Sequence, residues 1–230
     1  MTNNYHLPFS YLFKRQFQHI LFLLCMVPGA LYIAEPSFEG HVYLGRPDGW
    51  WFHLLIVIAV AHQVIVWFVF RTQLVYSLLT RLFGRYDMVI WAIVFLPFLI
   101  ARPVLVVILG MVDTGSLPGN PMVHTALGAV LAVPAIYAGI SVQRYFGIPR
   151  AIGGDHFRKR YREMPMVNKG AFKYTSNAMY LLVFLGLWSI ALFFGSRLAL
   201  AAAIFQHAYI WVHMFCTEEP DMQVIYRKRQ

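Results

Sequence analysis

"MYLLVFLGLWSIALFFGSRLALAAAIFQHAYIWVHMFCTEEP", residues 179–220, holds two apolar runs separated by Gly195-Ser196-Arg197. A helix needs roughly 20 mainly apolar residues to cross a bilayer, with about 17–25 tolerated. The run 179–195 is short and the run 198–216 is ample. So brief a break between them predicts a tight helical hairpin whose two outer ends return to one membrane face. Glu218 and Glu219 stand where the second helix leaves the apolar region, and Pro220 is expected to bar it from continuing unbroken. Acids at a helix C-terminus face the negative end of the macrodipole. Position alone therefore makes the pair mildly unfavourable, unless something cationic or rich in hydroxyls meets it.

Outward from the hairpin, four more stretches are long and apolar enough to span: roughly 17–34, 50–70, 88–112 and 122–143. The composition agrees, with 59% hydrophobic and 13% charged residues among 230. A soluble domain carries about a quarter charged residues. The expected fold is an all-α, polytopic membrane bundle of six transmembrane helices, forming a single membrane domain over 1–230. The start, "MTNNYHLPFSYLFKRQF", lacks an early positive region and a cleavage site, so the first span is expected to be retained. Cys25 and Cys216 lie in or beside apolar runs and show no metal spacing or disulfide framework.

The net charge of +9 reads as loop topology, not as nucleic-acid affinity. With the N-terminus inside, the inner segments hold sixteen of the Lys and Arg residues. The outer segments hold only Arg46 and Arg197. Cytoplasmic loops carry the excess of basic residues, so both termini are expected on the cytoplasmic side. The long inner loop, about 144–178, contains "DHFRKRYREM". Its Phe157, Tyr161 and Met164 fall on one helical face, which suits a helix lying at the bilayer surface. Gly153-Gly154 before Asp155 reads as a turn and N-cap.

Arg102 is the one clearly intramembrane charge, a placement costing about 2.5–3.5 kcal/mol on insertion scales. It lies past the middle of its span, so snorkelling to the outer interface is expected, ahead of pairing with a lipid phosphate or buried carboxylate. Pro103 beside it suggests a broken helix. His19, His53, His62, His207 and His213 lie in or near spans. A haem would need one ligand from each of two helices, whereas helix-to-helix hydrogen bonding is the commoner role for such histidines. No strand-borne glycine-rich loop exists to build a soluble dinucleotide site.

What remains is a polar cluster at the inner ends of the hairpin: Asn177 and Tyr180 on one side, Glu218, Glu219, Tyr226 and Arg227 on the other. Such a cluster can hold a polar cofactor while an apolar substrate enters from the lipid. "SNAMYLL" at 176–182 resembles the Asn-Pro-Met-Tyr signature of phospholipid (phosphatidylethanolamine) N-methyltransferases, within the wider isoprenylcysteine carboxyl methyltransferase-like membrane enzymes. "EEPDMQVIYRKR" at 218–229 resembles the same family's Glu-Glu-Pro ending, and "RYFG" at 144–147 adds a weaker match. Ala178 stands where the family has proline. Gly128, followed by Val130, stands nearest to its Gly-x-Gly element.

The resemblance implies S-adenosylmethionine bound at the cytoplasmic face by residues 144–230. Its binding residues would be Glu218, Glu219, Asn177, Met179, Tyr180 and Gly128. The implied reaction is methyl transfer to a lipid amine such as phosphatidylethanolamine, in a bacterial inner membrane or an endoplasmic-reticulum-like one. By location, His213 and His156 are candidate bases, and Arg158, Arg160 and Arg162 candidate holders of a lipid phosphate. Two alternatives stay open. One is another small or lipophilic acceptor (thiol, carboxylate or quinone-like); the other is a non-catalytic haem-binding or transport-related protein.

Overall fold

The structure, a computed structural model, describes residues 7–226. The principal helices are α1 (Gln16–Ala34), α2 (Asp48–Tyr76), α3 (Asp87–Val112), α4 (Pro121–Ser141), α5 (Leu185–Phe194), α6 (Arg197–His213) and α7 (Glu219–Ile225). Strand among the described residues is limited to a two-residue pairing, Val42–Tyr43 with Arg46–Pro47, between α1 and α2. Among the described residues, five helical stretches are long and apolar enough to cross a membrane: Phe9–Ser37, Asp48–Tyr76, Leu78–Val112, Pro121–Phe146 and Arg197–Ile225. The remaining expected span is the shorter apolar stretch Met179–Phe194. At 1.5 Å per residue it reaches only about 24 Å, against about 30 Å of hydrocarbon.

α6 is the centre of the bundle. It packs against α1, α2, α3 and α5, while α4 lies along α5. Its Ala199, Ala201, Ala202 and Ala203 are buried, and such small residues let helix backbones approach closely. Leu55, Leu105, Leu109, Leu198 and Phe205 complete the core around it. The hairpin turn is built as its sequence suggests. Gly195 takes the left-handed conformation at φ 57°. The Ser196 hydroxyl caps α6 by accepting from Ala199 N at 3.0 Å, and donates to Asp113 at 2.6 Å.

Three expectations about local structure are corrected. The helix does not end at Pro220: a π-helical turn at Met214–Glu218 leads directly into α7. Proline lacks an N–H, and a π-turn already shifts the hydrogen-bond register, so both leave backbone carbonyls free. Those carbonyls find side-chain donors. Phe215 O accepts from Arg15 at 2.7 Å, and Cys216 O accepts from Arg71 at 3.1 Å.

Likewise α3 runs unbroken through Pro97 and Pro103. Thirdly, "DHFRKRYREM" is no single surface helix. It forms two short turns, Gly154–Phe157 and Lys159–Arg162, separated by Arg158 in an extended conformation. Phe157 is pulled into a core with Val66, Phe70, Trp91 and Ile152, and Arg158 reaches instead to Asp87. Gly153, at φ 87°, is the N-cap of the first turn, as its place before Asp155 suggests. A Cβ at Gly153 would collide with the Phe70 ring, so this close approach needs glycine.

Candidate active site

Three π-helical turns, Val142–Phe146, Met179–Val183 and Met214–Glu218, occur at the α4 exit, the α5 entrance and the α6 exit. Such turns are rare and gather at functional sites, because each extra residue re-aims the side chains that follow. Here they bring Tyr180 to Glu218. The Tyr180 hydroxyl donates a short hydrogen bond to Glu218 Oε2. The other carboxylate oxygen, Oε1, stands 3.5 Å from His213 Nε2. Glu218 stays reachable, with its side chain 24% exposed, whereas His213 is buried. Trp211 packs edge-on to Tyr180.

The neighbouring acid faces elsewhere. Glu219 accepts from Arg15 at 2.5 Å, and the same guanidinium lies over the Phe215 ring. The two acids therefore do not form one binding surface: Glu218 turns towards α5 and Glu219 towards the N-terminal segment. The remaining expected cofactor residues divide in the same way. Asn177 starts the π-turn through its carbonyl, which accepts from Tyr180 N at 3.0 Å and Leu181 N at 2.9 Å. Met179 packs away from Tyr180, against the cluster of Ala138, Val142, Ala171, Phe172 and Ala178. Gly128 is a helix-packing site. Its carbonyl accepts from Ser189 Oγ at 2.8 Å, and a Cβ would press on Phe193 at 3.2 Å. Ser189 lies about 13 Å along the helix from Tyr180, so Gly128 is not brought to the others.

Beneath Glu218 lies a buried ionic network. Arg71 and Asp221 are fully buried and pair at 2.9 Å through Nε and Oδ1. Arg71 also donates to Tyr11 O at 2.7 Å. The Tyr11 hydroxyl donates to Pro220 O at 2.8 Å and to Asp221 Oδ1 at 3.1 Å. Asp221 Oδ2 meets His156 Nε2 at 3.3 Å, and His156 Nδ1 meets Asp155 at 3.2 Å. Tyr226 donates to the far oxygen of Asp155 at 3.2 Å. The network ties the N-terminal segment, α2, the loop between α4 and α5, and α7 together. Arg227 lies outside the described residues.

His156 is thus held between two carboxylates, with Phe70 stacked on its ring at 3.9 Å. Burial alone would lower its pKa, but the hydrogen bonds and charges of Asp155 and Asp221 outweigh burial and hold it raised, at about 9. A ring already protonated at neutral pH has no lone pair to offer as a base. A raised folded-state pKa gives a stabilisation that is fully present below the unfolded value of about 6.5. That stabilisation is lost as pH rises through about 9. The unfolding temperature of the detergent-purified protein is therefore expected to fall from pH 6.5 to 9 more steeply than that of His156→Gln. Parallel profiles would show that the imidazolium contributes nothing to stability.

The three candidate phosphate holders also separate. Arg158 grips the buried Asp87 with two nitrogens, one at 2.6 Å. Arg162 donates to the carbonyls of Asp155 at 2.5 Å and His156 at 3.0 Å. Arg160 is surface-lying, over the Tyr161 ring, and donates to its hydroxyl at 2.7 Å.

Arg71, Asp221, Tyr11 and Arg15 escaped the sequence reading. A signal was there: Arg71 is embedded in "VIVWFVFRTQLVY", so apolar residues flank it on both sides and a buried partner is required.

No curated protein and no solved structure matches this chain. The model of one protein family, described as phospholipid methyltransferase, matches residues 123–229. The match takes in α4 to α7, all three π-turns and the Tyr180–Glu218–His213 cluster. Over residues 123–229 the chain is thus similar to phospholipid methyltransferases, and that segment packs in the same bundle as α1 to α3.

Proposed function

We propose that this protein is an S-adenosylmethionine-dependent methyltransferase acting on a lipid amine, such as the phosphatidylethanolamine headgroup, with its site at the cytoplasmic membrane face. The observation that carries the reading is the Glu218 carboxylate, about a quarter exposed between Tyr180 and His213 inside the family-matched segment. An ionised carboxylate offers about four acceptor positions. Tyr180 takes one and His213 lies near another, so the remainder suit the two ribose hydroxyls of a nucleoside. Glu218 is the proposed holder of the cofactor, and Asn177 and Tyr180 shape the wall beside it.

When bound, S-adenosylmethionine supplies an electrophilic methyl group on its sulfonium. The protein's own work is positioning, desolvation and proton handling. Tyr180 fixes the orientation of Glu218 through its hydroxyl. Trp211, edge-on to Tyr180, and Phe184, stacked on His207, supply aromatic surface between α5 and α6. An amine acceptor must be neutral to attack. If His213 carries its proton on Nε2, facing Glu218, its Nδ1 keeps a lone pair, and Nδ1 has no hydrogen-bond partner among the described residues. His213 Nδ1 is the proposed acceptor of the amine's proton.

Label transfer tests this directly. The purified protein in vesicles containing phosphatidylethanolamine receives S-adenosylmethionine with a labelled methyl group, and the organic and aqueous phases are counted separately. Label is expected in a phosphatidylethanolamine-derived lipid. Cofactor binding with label in neither phase would displace the lipid amine as acceptor. No cofactor binding at all would remove the methyltransferase reading.

A further inference from the structure

Arg102 is 3% exposed and does not snorkel. It turns inward, donating from Nε to Gln206 Oε1 at 2.7 Å, with its guanidinium over the Phe184 ring. Its NH2 nitrogen has no hydrogen-bond partner among the described residues, nor does Gln206 Nε2. No carboxylate among the described residues pairs with it, although every other buried arginine meets an acid or several carbonyl and hydroxyl groups. His62, stacked on Phe98 and edge-on to Phe95, is buried with neither ring nitrogen partnered.

The cluster has an axis. Gln206 and His213 are seven residues apart on α6 and share one face. At one end of this stretch Gln206 holds Arg102, and at the other His213 stands 3.5 Å from Glu218. A guanidinium is always charged, and an unpaired charge in a low-dielectric interior is costly unless an anion meets it. Its remaining donors, with the Gln206 amide beside them, present the fork that planar or tetrahedral oxyanions fit.

We propose that Arg102 and Gln206 form an intramembrane oxyanion subsite that holds the phosphate or carboxylate group of a lipophilic methyl acceptor. This deepens the reading above and rests on it: the acceptor's anionic group is drawn to Arg102, and its nucleophile is left towards His213 and Glu218. The donor's end and the acceptor's end are then served from His213 and Gln206, two positions on one face of α6.

The test uses the full chain in maltoside detergent and dodecyl phosphate as the probe, read as a saturable rise in unfolding temperature. Dodecanol and inorganic phosphate separate the roles of chain and anion. The unaltered protein is expected to respond to dodecyl phosphate and to neither control. Losing charge-assisted hydrogen bonds is expected to weaken apparent affinity at least about tenfold in Arg102→Gln, with Arg102→Lys partly restoring it.

Gln206→Glu neutralises Arg102 from within while leaving it in place. It is expected to weaken the probe by a similar factor, and it serves if Arg102→Gln does not fold. Unchanged probe affinity in either variant overturns the proposal. An equal response to inorganic phosphate overturns its lipophilic part. S-adenosylhomocysteine is titrated in parallel. If Arg102→Gln weakens that ligand as much, and dodecyl phosphate competes with it, Arg102 serves the donor's carboxylate and the proposal fails. Failure of the unaltered protein to bind S-adenosylhomocysteine would instead count against the methyltransferase reading, whatever dodecyl phosphate does.

Discussion

Asp221→Ala is expected to destabilise the bundle by about 3–5 kcal/mol, because breaking a buried ion pair from one side strands the other charge. Two cations depend on this carboxylate: Arg71 at 2.9 Å and His156 at 3.3 Å. Tyr11 adds a hydrogen bond at 3.1 Å. All of these groups are buried, so water cannot replace the lost acceptor without opening the structure. Arg71 would keep its carbonyl acceptors at Tyr11 and Cys216, which satisfy its hydrogens but not its charge. Replacing both partners, as in Arg71→Met with Asp221→Leu, removes the stranded charge and is expected to recover part of the loss. Unfolding of the detergent-purified variants checks both expectations. A cost below about 1 kcal/mol for Asp221→Ala, the range of an exposed pair, would mean that the network is hydrated and not a clamp.

The same pair shows where sequence reading reached its limit. Five of the six expected spans coincide with helices long and apolar enough to cross a membrane, because a bilayer demands long apolar runs and these are visible residue by residue. The end of the last helix was not visible in that way. Pro220 is a helix breaker by local rules, but a π-turn immediately before it and donors from Arg15 and Arg71 absorb the carbonyls it leaves. Those donors come from 145 to 200 residues away in the chain. Arg71 stands near the end of an apolar run, where basic residues usually belong to the adjoining loop. Only the fold shows that it lies against Asp221. Arg102 was misjudged for a related reason. Depth along one helix suggested an escape to the interface, and the inward direction depends on Gln206 presented by a different helix. Within the site, the Tyr180 and Glu218 motifs were readable. What could not be read was that two adjacent acids would face opposite ways.

That divergence leads to the second large effect. Glu218→Gln is expected to weaken S-adenosylhomocysteine binding about a hundredfold, the loss of two charge-assisted hydrogen bonds. Glu219→Gln is expected to change it by no more than about threefold, because an exposed ion pair contributes about 0–1 kcal/mol. The Arg15–Glu219 pair has side chains 26% and 41% exposed. Loss of that pair should appear as a small, salt-sensitive drop in stability, with cofactor affinity nearly unchanged. Tyr180→Phe separates orientation from charge. It leaves the Glu218 carboxylate in place but frees it from the hydroxyl that fixes it. Its effect on affinity should fall between those of the two acid variants. If Glu219→Gln proves as damaging as Glu218→Gln, the acids act as a pair after all. Arg15 would then have to release Glu219 when the cofactor arrives, and the N-terminal segment it anchors would move with binding instead of merely closing the inner end of the bundle.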